Sequence, residues 1–205
     1  MKLKTDLVLF DVDKTLFDTP KFNEEIHKSI AELANLQFEE IIDIKNQYSQ
    51  KLKKFSDFHP KEFHKFIAQK TNIDLDQIEQ IFYNPDLYKK NVFPDVAPAI
   101  DRLSRSHQLG IYTEAVLSWQ ETKLKLSGLD QLFDPEMIFI LRRKVEPKFL
   151  NGLPPVTIID DSPEVIEELD EFDHITSIFI DRYQDENQIY PNSITSLDQL
   201  LPREK

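Results

Sequence analysis

The chain has 205 residues, no cysteine, a net charge of −12 at pH 7 and three glycines, Gly110, Gly128 and Gly152. Glycines so far apart exclude a glycine-rich phosphate loop and a dinucleotide-binding turn, and the lack of cysteine excludes disulfides, Cys-ligated zinc and thiol catalysis. The acidic surface repels nucleic acid and anionic membranes, so neither is expected as a partner.

The acid excess falls in residues 91–205, whereas residues 19–90 are close to neutral. That asymmetry suggests two different parts. No apolar run is long enough to cross a membrane, and Met1 to Phe10 lacks the basic-plus-apolar pattern of a signal segment, so a soluble cytoplasmic protein is expected.

Residues 5–10 read as a short apolar strand of a buried parallel sheet. It runs into Asp11-Val12-Asp13-Lys14-Thr15-Leu16. Residues 20–90 then show helical spacing. Phe22, Ile26, Ile30 and Leu33 form one stripe; Phe38, Ile41, Tyr48, Leu52 and Phe55 form another, interrupted by Lys45. Pro60 suits a first helical turn, and Asp74 with Gln77 resembles a capping box. About four helices are expected there, as a small bundle.

From Val92 the pattern alternates. A helix over about 96–106 leads to a strand over 109–113, and a helix over about 117–126 stops near Gly128. A strand over 137–141, a short turn at 147–150, a strand over 155–160 and a helix over 163–169 follow. A strand over 175–180, a surface loop over 183–193 and a last helix over 197–201 complete the chain. Alternating strands and helices predict an α/β fold, a Rossmann-like doubly wound parallel sheet. Its core would be residues 1–18 plus 91–205, with residues 19–90 inserted after the first strand.

Ligands of open α/β sheets bind beyond the carboxyl ends of the strands. Those ends carry Asp11 and Asp13, then Thr113, Lys144, and Asp160-Asp161. Clustered carboxylates repel one another, and a hard divalent cation such as Mg²⁺ resolves the conflict. Thr113 and Lys144 would then donate to phosphate oxygens. One carboxylate would act on protons, and the one facing phosphorus would be the nucleophile. Singly, each feature has a plainer reading: Asp-x-Asp after a strand is often a turn or a cap, and Asp161-Ser162-Pro163 also suits a helix start. The set is what points to a site.

These residues resemble the haloacid dehalogenase superfamily, in the subgroup with a helical cap inserted after its first motif. Asp11-Val12-Asp13-Lys14-Thr15-Leu16 is similar to motif I, Ile111-Tyr112-Thr113 to motif II, Lys144 to motif III and Ile158-Ile159-Asp160-Asp161-Ser162 to motif IV. The resemblance implies Asp11 as nucleophile and Asp13 as general acid/base. It implies Thr113 and Lys144 on the phosphoryl group, and Mg²⁺ held by Asp11, the Asp13 main-chain carbonyl, Asp160 and Asp161. Dehalogenase relatives lack the acid/base residue that Asp13 supplies. A phosphatase acting on a small phosphorylated metabolite is therefore the expectation.

The chain also departs from the pattern. Position 14 is Lys where capped members usually have Gly, Lys148 rivals Lys144 as the motif III lysine, and Glu114 is an unusual acid beside a phosphate site. A phosphomutase, a receiver-like module and a phosphate-binding protein without turnover stay open as alternatives. The order of the motifs speaks against a receiver.

Overall fold

The computed structural model describes residues 1–53, 57–184 and 190–201. Phe55, placed above on the second apolar stripe, lies outside the described residues. Six parallel strands form one sheet in the order β3-β2-β1-β4-β5-β6. They are β1 (Leu7–Phe10), β2 (Gln108–Glu114), β3 (Ile138–Leu141), β4 (Val156–Asp160), β5 (Ile175–Ile180) and β6 (Ser193–Ile194).

β1 lies inside the sheet, Phe10 being in register with Ile111 of β2 and Ile159 of β4. Val8 and Phe10 join the core on one side of the sheet, and Leu7 and Leu9 join a second core. Burial on both faces is what an unbroken apolar run demands. The chain goes outward from β1 to β2 and β3, then returns to β4 on the other side. That reversal opens a crevice at the carboxyl ends of the strands beside β1.

Among the described residues of 19–90, five helices follow β1: α1 (Thr19–Ala34), α2 (Phe38–Ser49), α3 (Pro60–Thr71), α4 (Leu75–Phe82) and α5 (Pro85–Lys89). In α1 the Asp18 side chain accepts from the Lys21 N–H at 3.1 Å, satisfying one free donor of the first turn. Phe22, Ile26 and Ile30 are buried, but Leu33 is 38% exposed and Ala31 takes the inner place. Pro60 does begin α3. The expected four helices become five because Asn84 caps a five-residue helix, too short to show a period in the sequence. α1 packs on α2 and α4, and α3 joins α2 to α4.

The later strands are connected through α6 (Val96–Ser104), α7 (Leu117–Ser127), α8 (Pro147–Leu150) and α9 (Pro163–Leu169). Gly128 ends α7 in the left-handed region, φ 78°, where a glycine pays no steric penalty. Two expectations near the C-terminus need correction. The loop expected to run through Ser193 gives way there to β6, which adds to β5. The last expected helix is a single 3-10 turn, Leu197–Gln199. Both elements are too short for periodicity to reveal. No helix among the described residues is long and apolar enough to cross a membrane.

Gly110 sits in the middle of β2, paired with Leu9. A Cβ there would collide with the Met137 carbonyl oxygen and lie 2.8 Å from Leu9 Cδ2. Gly110→Ala is expected to cost about 1–3 kcal/mol by overpacking, read as a lower urea midpoint. An unchanged midpoint would contradict this packing.

His64 of α3 is fully buried, with its ring 4.1 Å from that of Phe82, and neither ring nitrogen has a hydrogen-bond partner. Glu79 lies 3.8 Å from Nδ1 but is itself 36% exposed. Burial, with the nearby His59, pushes the imidazole down to about 4. An unfolded histidine protonates near 6.5, so above that pH His64 contributes no proton-linked term. Stability is lost as the pH falls from there toward 4. The gap in urea stability between the protein and His64→Leu should therefore change by about 2 kcal/mol between pH 7 and pH 5, in favour of the variant at low pH. A gap independent of pH would show that His64 is not buried neutral.

Candidate active site

The carboxyl ends of β1, β2 and β4 and the segment after β3 converge on one cavity of about 740 Å³, which the insert helices also line. Asp11 follows β1 and is 4% exposed, and Asp160 ends β4 with no exposure. Asp161 comes next. Carboxylate oxygens of Asp11, Asp160 and Asp161 all lie within 4.8 Å of one another.

Lys144 joins two of these acids. Its Nζ is 2.7 Å from Asp11 Oδ1 and also donates to Asp160 Oδ2. The second Asp160 oxygen accepts from the Ser162 N–H at 2.9 Å. Lys148 is exposed, so of the two rival lysines only Lys144 is placed among the site's acids. Burial pushes Asp11 up to about 7; Lys144 opposes that, while Asp160, Asp161 and Asp13 add to it. Burial and Asp160 likewise raise Asp161, against the pull of Lys14. Burial works against the charge on Lys144, yet Asp11 and Asp160 hold it well above the ordinary lysine range. Three converging carboxylates with all-oxygen donors, two of them held above their ordinary range, form a set that fits a hard divalent cation.

Asp13 lies two residues on, and its carboxylate faces the same cavity but a different neighbour. Lys123 Nζ donates to Oδ1 at 2.6 Å, Thr19 Oγ1 donates to the same oxygen, and Gln120 Nε2 donates to Oδ2 at 3.3 Å. Burial disfavours the charge, but Lys123, Thr19 and Gln120 together hold Asp13 below the ordinary carboxylate range. Thr113 is buried at the end of β2, its Oγ1 accepting from Gln120 at 3.1 Å.

Lys123 and Gln120 are absent from the sequence-level site, though a signal existed. The buried positions of α7 are Gln120, Lys123, Leu124 and Ser127. They share one helix face, and three of the four are polar. A polar inner stripe on a helix that follows a site strand marks a face turned to chemistry. Arg182, after β5, was not foreseeable in this way. Its guanidinium donates to the Thr15 carbonyl at 2.7 and 3.1 Å and to Asp95 at 2.6 Å, clamping the turn that carries Asp11 and Asp13.

The departures from the family pattern now have physical content. Lys14 adopts φ 58°, the left-handed conformation that makes glycine usual there and that costs another residue about 1–2 kcal/mol. Its ammonium lies 2.8 Å from Asp161 Oδ2, an ion pair that glycine could not make. Glu114 accepts from the Lys144 N–H at 2.7 Å, and Tyr112 Oη donates to the Lys144 carbonyl. Side chains from β2 thus grip the main chain of Lys144 on both sides. Trp119 turns from α7 toward the insert. Its ring is 5.9 Å from Phe82 and 6.3 Å from Tyr88, both in the insert, and it lines the cavity. Asp57 of the insert pairs with Arg142 and, at 3.2 Å, with Arg143, and Arg143 lines the cavity.

A family model for haloacid dehalogenase-like hydrolases matches residues 8–148. A comparison with curated protein sequences finds no match. Among solved structures, a haloacid dehalogenase-like hydrolase from Burkholderia xenovorans superimposes with a TM-score of 0.70 at 14% identity, over 93% of this chain and 92% of its own. A phosphatase from Thermococcus onnurineus gives 0.62 at 22% identity, over 95% of each chain. A 2-haloacid dehalogenase from Pseudomonas syringae gives 0.58 at 18% identity, over 96% of each. At such identities the likeness is one of fold, shared by proteins of both chemistries.

Proposed function

The chain belongs to the haloacid dehalogenase-like hydrolases, and from that premise we propose that it is a Mg²⁺-dependent phosphatase acting on a small phosphate monoester. The observation that carries the proposal is Asp13. Opening a carbon–halogen bond releases a halide, which needs no proton. Breaking a phosphate ester releases an alkoxide, which does. Here a second carboxylate faces the cavity two residues from Asp11, held in place by Lys123 at 2.6 Å, Gln120 and Thr19.

In this reading an Asp11 oxygen attacks phosphorus, the bond from phosphorus to the ester oxygen breaks, and Asp13 gives its proton to that oxygen. Asp13 then takes a proton from water as the water attacks phosphorus. The bond to Asp11 breaks, and inorganic phosphate leaves with Asp11 restored. Asp13 is held ionised in the free protein. The negative charge of an arriving phosphate favours its protonation and competes for Lys123. Lys144 holds the Asp11 carboxylate in position and gives it a counter-charge, and the Thr113 hydroxyl donates to a phosphoryl oxygen. Asp11, Asp160, Asp161 and the Asp13 main-chain carbonyl would hold Mg²⁺, which when bound supplies positive charge against the phosphoryl oxygens. The insert, residues 19–90, serves as the cap that excludes bulk water and selects the ester.

The test is a panel of sugar phosphates, nucleotides and short alkyl phosphates, assayed with Mg²⁺ and with chelator. Mg²⁺-dependent phosphate release supports the reading. Release of halide from 2-haloacids, with no phosphate released from any ester, overturns it.

A further inference from the structure

Lys45 lies on the face of α2 that buries Ile41, Ile44 and Tyr48, one turn after Ile41 on that stripe. A lysine on a packed face is costly unless its ammonium reaches water or an anion. This one is half-buried and lines the cavity. Among the described residues it makes no hydrogen bond and no ion pair. The other lysines that line the cavity are all neutralised: Lys14 by Asp161, Lys123 by Asp13, and Lys144 by Asp11 and Asp160. Among the described residues, Lys45 is thus the lining lysine without a counter-ion, in a cavity built around anion chemistry.

Its neighbourhood fits the same reading. Burial, with the charge of Lys45 adding to it, drives His27 down to about 4, so that imidazole, which also lines the cavity, is neutral and adds no second positive charge. Asn23 and Ser49 line the cavity as neutral polar groups, and the rings of Phe63 and Phe82 are apolar wall. The acids Glu164 and Glu168 also line it, but from the exposed face of α9.

We infer that Lys45 is a specificity-determining residue that receives a second anionic group, a carboxylate or a second phosphate, at the far end of the phosphate ester. The inference rests on the phosphatase reading and deepens it: the substrate is a phosphate monoester of an alcohol with an acidic tail. Apolar side chains of the same cavity, Phe63 and Phe82 among them, would pack against the carbon skeleton.

A series of alkyl phosphates of increasing chain length tests this, each length made with a methyl, carboxylate, phosphate or ammonium terminus. The carboxylate and phosphate arms tell the two anions apart. At the best length, kcat/KM for an anionic tail over the methyl tail is expected to be about 10- to 100-fold, the range of a hydrogen bond to a charged group. In Lys45→Met that ratio should fall to near one, and in Lys45→Arg it should persist. In Lys45→Glu it should invert in favour of the ammonium tail. Thermal melts establish that each variant is folded. Brisk hydrolysis with no preference for an anionic tail, or a preference that survives in Lys45→Met, overturns the inference alone. No phosphate release from any ester overturns the phosphatase reading and this inference with it.

Discussion

Asp11→Asn is expected to lower turnover by at least about 10⁴-fold, because it removes the attacking oxygen while keeping the shape of the side chain. The same change should leave the metal-free protein no less stable. Burial and the surrounding Asp160, Asp161 and Asp13 push Asp11 up to about 7, above its value in the unfolded chain. A carboxyl raised on folding costs stability as the pH rises through its folded value. Asparagine is neutral throughout and does not carry that cost, and Lys144 keeps Asp160 as a partner. Urea unfolding at pH 8 should thus give a midpoint equal to or above that of the parent. A variant that loses activity only because it unfolds would remove Asp11 from the role assigned to it.

Lys144→Met should have the second large effect, on both activity and stability. The ammonium is the shared buried counter-ion of Asp11 and Asp160. Its loss leaves two carboxylates facing each other, a change that costs about 3–5 kcal/mol when a buried pair is broken. The attacking Asp11 carboxylate also loses the ammonium that holds it in position, which should cost about 10²-fold in kcat. Lys148→Met, at an exposed position four residues on, should stay within about twofold of the parent in kcat. Equal losses in the two variants would mean that the lysine at the site acts through the fold of the 144–150 segment rather than through its ammonium.

The first five strands, the order of the longer helices and the four acids were legible because long periodic patterns and strand-end residues are local properties of a sequence. Asp11, Asp160 and Lys144 meet only because β1 and β4 pair in register and the segment after β3 folds back, yet each sits at a strand end or just beyond one. What was not legible depended on contacts between distant segments or on elements too short to repeat. α5 and β6 are of the second kind. Arg182 and Thr15 are 167 positions apart in the chain, and nothing local in either announces the contact. Lys123 stands between these cases, visible in the polar inner face of α7 once that face is read as a surface rather than as a stripe.

Whether Asp11 attacks phosphorus or carbon decides where the oxygen of water ends up. In an aspartyl-phosphate, water attacks phosphorus and its oxygen leaves in inorganic phosphate. In the ester that a dehalogenase forms, water attacks the aspartate carbonyl and its oxygen remains in the side chain. Single-turnover hydrolysis in H₂¹⁸O, with mass spectrometry of both the released phosphate and the peptide containing Asp11, separates the two. Phosphoryl transfer through Asp11 predicts label in the phosphate and none in Asp11. Label in the Asp11 carboxylate would contradict it.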